Sequence, residues 1–184
     1  QAKGRYYTAA ALLDDPEQGR KFAGGSFVTL YLSPRHYHRI HTPTPGVVSQ
    51  ARHVPGALLP VNSAAVQLVD DLFAHNERLI CYVDGALGRI AVVAVGAYNV
   101  GRISAAFDPQ WNGDRLGVTN RKGARAETHT YNPPRPVTRG AEIMAFHLGS
   151  TVVMLFEPGV ELLPALSARE VRVGQPIARA TAKV

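Results

Sequence analysis

The sequence predicts a mainly β fold, a β-rich α+β domain with a barrel- or sandwich-like core of short strands and a few short helices. Two observations predict it. Thirteen prolines and seventeen glycines break 184 residues into short pieces, which suits strands and turns better than a helical bundle. The apolar runs are also rich in β-branched and aromatic residues, the types that fit a pleated, half-buried surface. Thr8 can cap a short helix over Ala9–Leu13. Phe27-Val28-Thr29-Leu30-Tyr31-Leu32 reads as the first strand, with partial alternation. Asn62 or Ser63 can cap a longer helix to about Phe73, with Val66, Val69, Leu72 and Phe73 on its apolar face. Leu79–Val83 and Arg89–Ala97 flank Asp84-Gly85, so a hairpin turning on Asp-Gly is expected. Residues 108–136 mix glycine, proline, asparagine and charge and read as a long loop, while Val152–Phe156 reads as a buried strand.

Nothing divides the chain: it shows no repeat, low-complexity tract or linker, and 184 residues suit a single domain over 1–184. Twenty basic residues against fourteen acidic give a net charge of +6. Such a surface attracts anionic partners, lipid headgroups or nucleic acid, although simple solubility also accounts for it. No Lys/Arg cluster interleaved with aromatics is present, which argues against nucleic acid. Cys81 stands alone inside Leu79–Val83 and reads as a core residue, so no disulfide framework can form within the chain. No stretch has the composition of a signal peptide or the length of a membrane span, so membrane contact is expected to be peripheral or carried by a segment outside these residues.

The chemistry concentrates in two segments. Leu148-Gly149-Ser150-Thr151 places a Gly-Ser bond at the entrance to the strand Val152–Phe156. Taken alone this is ordinary turn chemistry. Leu32-Ser33-Pro34-Arg35-His36-Tyr37-His38-Arg39-Ile40-His41-Thr42-Pro43 supplies three imidazoles within six residues. On spacing alone, His36, His38 and His41 are candidate metal ligands. If the segment is extended, His36 and His38 share a side and His41 points away, so two ligands come easily and three only with a turn.

Together the two segments resemble the phosphatidylserine decarboxylases, pyruvoyl-dependent enzymes that make their cofactor from their own chain. The first family signature reads Leu-Ser-Pro-Arg-Asp-Tyr-His-Arg-Val/Phe-His-x-Pro, followed here except that His36 replaces the aspartate. The second, Phe-x-Leu/Phe-Gly-Ser-Thr-Val, is matched by Phe146–Val152. Val54-Pro55-Gly56 with Val61-Asn62, Asn76-Glu77-Arg78, and Val95-Gly96-Ala97 with Val100-Gly101 keep the family's order, and Gln1-Ala2-Lys3-Gly4 also resembles it. Met144 and Pro60 depart from the usual residues.

The resemblance implies self-cleavage between Gly149 and Ser150. Ser150 would attack the Gly149 carbonyl, convert the amide to an ester, and after elimination and hydrolysis leave a pyruvoyl group on the downstream piece. That ketone would form a Schiff base with the substrate amine and act as electron sink. His41 matches the histidine that serves as base for self-cleavage, and His38 the one that assists decarboxylation by proton transfer. A metal is not required on this reading. The substrate implied is phosphatidylserine, converted to phosphatidylethanolamine at the cytoplasmic face of a bacterial membrane. The implied partners are an anionic membrane surface and the two pieces of the cleaved chain, with a homodimer also open. Another amino acid derivative as substrate, a metal-binding β-barrel enzyme and an inactive lipid-surface module are the alternatives. The essential family aspartate belongs upstream of residue 1, so these 184 residues are expected to remain unprocessed. Loss of an orienting carboxylate costs serine hydrolases about four orders of magnitude. Glu142 matches a recurrent family glutamate; His147 matches no motif; Asn62, Glu77 and Arg78 read as a cap and a polar turn.

Overall fold

The computed structural model describes residues 8–61, 65, 68–98, 100, 102–112, 123–164 and 169–181. Two short helices, α1 (Ala9–Leu13) and α2 (Pro16–Lys21), open the described chain. Thr8 Oγ1 accepts from the Ala11 amide, the expected cap. Asp15 caps α2 in the same way, with Pro16 at its first turn.

The strands are β1 (Ser26–Tyr31), β2 (Arg39–His41), β3 (Gly46–Val54), β4 (Arg78–Gly85), β5 (Gly88–Val95), β6 (Ile103–Ala105), β7 (Glu127–Val137), β8 (Glu142–Phe146), β9 (Thr151–Phe156), β10 (Val160–Leu162) and β11 (Ala178–Ala180). Six form one antiparallel sheet in the order β1-β9-β5-β4-β3-β7; β2-β8-β6 and β10-β11 form smaller ones. The large sheet is open, with β1 and β7 at its edges, so the mainly β expectation holds without a closed barrel. Its inner strands β4, β5 and β9 are buried almost throughout, as continuous apolar runs predict.

Three local expectations give way. The hairpin turns on Ala86-Leu87, because Gly85 pairs with Gly88. Asp84 lies inside β4, where it binds Ser49 Oγ and Arg89 (Nε to Oδ1, 2.7 Å), so its carboxylate serves an ion pair and not a turn. Residues 127–136 of the expected loop belong to β7. Its prolines are tolerated because it is an edge strand: the ladder with β3 jumps from Arg135 to Thr130, omitting Pro133 and Pro134, and Pro136 lies opposite Val47. The expected helix to Phe73 is interrupted by Val69–Asp71, with Asp71 left-handed at φ 51°, before the short helix α3 (Leu72–His75). Its proposed cap residues, Asn62 and Ser63, lie outside the described residues.

Glu77 and Arg78 are also more than a polar turn, since both are buried. Glu77 meets His53 at 2.8 Å. The Arg78 guanidinium donates to the carbonyls of Leu12 (2.6 Å), Ala74 (2.6 Å), Asn76 (2.9 Å) and Ala11 (3.0 Å). It thus adds a donor to the last carbonyls of α1, one of which, Ala11 O, also accepts from the Asp14 amide. Burial lowers its pKa to about 10, still charged at neutral pH. Arg78→Met is expected to destabilise the fold by about 3 kcal/mol, because several buried acceptors lose their donor together. Urea unfolding would show a lower midpoint with an unchanged slope.

A candidate self-cleavage site at the end of the central sheet

Ser150 stands immediately before β9, and β9 lies between β1 and β5. Thr151 pairs with Tyr31 on one side and Val95 on the other, so three strand ends meet at this point. Ser150 is completely buried, and its Oγ donates to the Val95 carbonyl at 2.5 Å. Its own carbonyl accepts from the Leu32 amide at 2.7 Å, which ties the junction to the segment that follows β1. Val95 is held in turn by its neighbour Gly96, whose amide donates to Glu77 O at 2.7 Å and whose carbonyl accepts from the buried Asn76 amide at 2.9 Å. The Asn76-Glu77-Arg78 motif therefore anchors the strand end that holds the serine.

Gly149 is enclosed. A Cβ added there would collide with Leu32 O and would lie 2.8 Å from both His38 Nε2 and the Ser33 carbonyl carbon. Only glycine leaves room for this approach. His38 is placed by the turn Ser33–His36, in which the His36 amide donates to Ser33 O at 2.9 Å. It is also fixed by the Phe146 amide, which donates to His38 O at 3.0 Å. His38 Nε2 bonds Ser33 O at 3.0 Å, and since a carbonyl only accepts, this nitrogen carries the proton. The nitrogen beside Gly149 is thus a donor.

His41 sits elsewhere. Its Nδ1 donates to Gly140 O at 2.7 Å, its Nε2 meets the Tyr37 hydroxyl at 2.8 Å, and the Tyr37 ring stacks on it. His38 precedes β2 and His41 ends it, beyond a register shift between Ile40 and His41, and the two rings bond different carbonyls. His36 Nδ1 accepts from the Ser33 amide at 3.2 Å on the exposed surface. The three imidazoles are engaged separately, and among the described residues no group of three or more metal-ligating side chains gathers. Arg39 pairs with Glu142 at 2.6 Å, and His147 Nε2 lies 3.2 Å from Ser104 Oγ. Met144 is buried in β8 opposite Ile40 and Ala105. Cys81 is fully buried, which pushes its thiol pKa up and keeps it unreactive. An apolar cleft lined by Leu12, Phe22, Phe27 and Leu155 lies towards the other end of the sheet and carries no titratable side chain.

One polar cluster has no counterpart in the sequence reading. Asp108 Oδ2 accepts from His129 Nδ1 and from Tyr131 Oη, each at 2.7 Å. His129 Nε2 donates to Glu127 at 2.9 Å, and Trp111 stacks on the ring at 4.0 Å between centroids. Both ring nitrogens face carboxylates, which only accept, so His129 is an imidazolium here. Burial pulls its pKa down, but the bonds to Asp108 and Glu127 outweigh that and hold it above 6.5. Burial likewise pushes Asp108 up, and the bonds from His129 and Tyr131 bring it below the ordinary carboxylate value. A raised histidine pKa adds stability that is whole below about pH 6.5 and fades as pH rises through the folded value. Trp111 is the only tryptophan. Its emission is expected to increase as the quenching imidazolium deprotonates, with a midpoint above 6.5; a flat titration, or one unchanged in His129→Gln, would refute this account.

Among the described residues no helix is long and apolar enough to cross a membrane, which says nothing about strands. The family profile for phosphatidylserine decarboxylase matches residues 1–179. A phosphatidylserine decarboxylase proenzyme of Anaeromyxobacter sp. (strain K) is 51% identical over 179 residues, covering 96% of this chain and 62% of the relative. The namesakes of Myxococcus xanthus (strain DK1622) and Acidovorax ebreus (strain TPSY) are 46% and 44% identical, with 86% and 97% of this chain and 54% and 62% of their own lengths covered. The chain thus spans 54–62% of these relatives. With a buried serine opening a central strand, a glycine that admits no side chain before it and an imidazole against their bond, the chain belongs to the phosphatidylserine decarboxylase family.

Proposed function

We propose that this chain carries the self-cleavage junction and active site of an enzyme that converts phosphatidylserine to phosphatidylethanolamine and carbon dioxide. The reaction would take place at the cytoplasmic face of a bacterial membrane. The observation that carries the proposal is the Gly149–Ser150 junction: the hydroxyl is held in place, the preceding residue has no side chain, and His38 lies against it.

In self-cleavage the Ser150 hydroxyl must leave the Val95 carbonyl, lose its proton and attack the Gly149 carbonyl carbon. The amide bond becomes an ester and frees the Ser150 nitrogen. Elimination then breaks the bond between Cβ and Oγ, releasing a new carboxylate on Gly149, and hydrolysis expels ammonia. Glycine at the attacked position leaves the carbonyl uncrowded. His41 is proposed as the base: with Nδ1–H committed to Gly140 O, its neutral ring keeps the lone pair on Nε2. That nitrogen must exchange the Tyr37 hydroxyl for the serine, so a local rearrangement precedes attack. His38, whose Nε2 lies beside Gly149 with its proton on Ser33 O, is proposed as the proton donor in decarboxylation, once that bond is exchanged. The residues fit a pyruvoyl group, since its precursor is the buried Ser150 itself; once formed, it supplies an electron sink for the departing carboxylate.

The test is the intact mass of the full-length protein under denaturing conditions, followed by incubation with phosphatidylserine. Two pieces dividing between Gly149 and Ser150, the downstream one bearing a pyruvoyl end, together with phosphatidylethanolamine formation, are expected. One uncut chain, or cut protein that leaves phosphatidylserine unchanged, would overturn the reading.

A further inference from the structure

Five large hydrophobic side chains are strongly exposed among the described residues, and three of them are tyrosines at the site end of the large sheet. Tyr31 (56% exposed) ends β1 opposite Thr151, one residue before the Leu32 amide that binds Ser150. Tyr37 (52%) lies in the segment that delivers His38. Tyr98 (68%) follows β5, three residues beyond the Val95 carbonyl that holds the serine. The strand register brings these segments to one end of one sheet, because Tyr31, Thr151 and Val95 are consecutive partners across it. Arg35 is exposed on the same segment as Tyr37 and makes no ion pair among the described residues. Tyr37 packs its ring on His41, but no such contact accounts for the exposure of Tyr31 and Tyr98 or for the charge of Arg35 beside the reactive bond.

We propose that Tyr31, Tyr37, Tyr98 and Arg35 form a lip that rests on an anionic phospholipid surface and presents headgroups to the Gly149–Ser150 junction. Tyrosine suits the headgroup region, where its ring enters the apolar boundary and its hydroxyl stays in water. Arg35 supplies the charge complementary to anionic lipid, in a chain with a net charge of +6. A neutral apolar partner, or a second copy of this cationic chain, would leave that charge unmatched. The inference rests on the proposed lipid reaction but concerns docking alone, so the two can fail separately.

The test uses full-length protein carrying Ser150→Ala, so that binding is read without cleavage. A polarity-sensitive thiol dye is placed by Tyr98→Cys, and in a second protein by Ala86→Cys at the hairpin on the opposite end of the sheet. The native Cys81, fully buried, does not compete for label. With vesicles of phosphatidylcholine containing phosphatidylserine, the dye at position 98 is expected to shift to the blue, weakly with phosphatidylcholine alone, while the dye at 86 stays unshifted. Arg35→Gln is expected to raise the half-saturating lipid concentration about fivefold at low salt. The proposal is overturned if the protein floats with the vesicles while the dye at 98 still reports water, if no binding to anionic vesicles occurs, if both positions shift alike, or if Arg35→Gln changes nothing. The denaturing mass of the Ser150 protein from the same preparation tests the cleavage reading independently.

Discussion

Ser150→Ala is expected to leave the full-length protein as one uncut chain with no decarboxylation above background. The proposed cofactor derives from this side chain, so no neighbouring group can replace it. Removing the nucleophile of a serine hydrolase costs about six orders of magnitude, and here the loss should be at least as complete. Stability should fall far less. The Val95 carbonyl loses its hydroxyl donor, a cost of about 1–3 kcal/mol if nothing else satisfies it. Denaturing mass spectrometry, product analysis and thermal unfolding separate these effects. A cut Ser150→Ala protein would show that cleavage occurs elsewhere.

Gly149→Ala carries the second large effect, through geometry and not through lost chemistry. The new methyl would overlap Leu32 O and press on His38 Nε2 at 2.8 Å. Leu32 cannot simply retreat, because its amide is bonded to Ser150 O at 2.7 Å. The junction must therefore shift relative to its histidine. A displacement near 1 Å can cost about a hundredfold in rate, so cleavage is expected to slow by at least about that factor while overpacking costs about 1–3 kcal/mol. Gly25→Ala is the matched control: its Cβ would collide with Phe156 O at the far end of the sheet. Gly25→Ala should lose stability yet still cleave. Equal cleavage defects in the two variants would mean that the effect of Gly149→Ala is general misfolding.

The sequence revealed most where the determinants are local. Thr8 before an alanine-rich turn announced α1, and the apolar runs announced β1, β4, β5 and β9. The Gly149–Ser150 junction was legible as a motif. It failed where a distant partner decides. Asp84-Gly85 has the composition of a turn, yet Ser49 and Arg89 claim the aspartate and move the turn two residues on. Edge position rescued β7 from its prolines, and an edge cannot be read from local composition. Glu77 and Arg78 read only as a polar turn because their partners, His53 and the carbonyls of α1, are brought by tertiary packing. The Asp108–His129–Trp111 cluster was invisible for the same reason, since 21 residues separate its ion pair and only the folded sheet closes the gap. His38 and His41 were legible as a pair, and so was their divergence in an extended segment; hidden were the distant groups that hold His41, Gly140 O above all.

The place of β9 governs what becomes of the molecule after a cut at Gly149–Ser150. All six residues of β9 pair with β1 on one side and with β5 on the other. The downstream fragment would therefore begin as an internal strand of a sheet whose other five strands belong to the upstream fragment. Its release would require two ladders to unzip at once and would strip the floor from the core. Scission would thus create a new chain end without creating a new molecule. The halves would stay locked like a tongue between two grooves, migrating together until denaturant separates them.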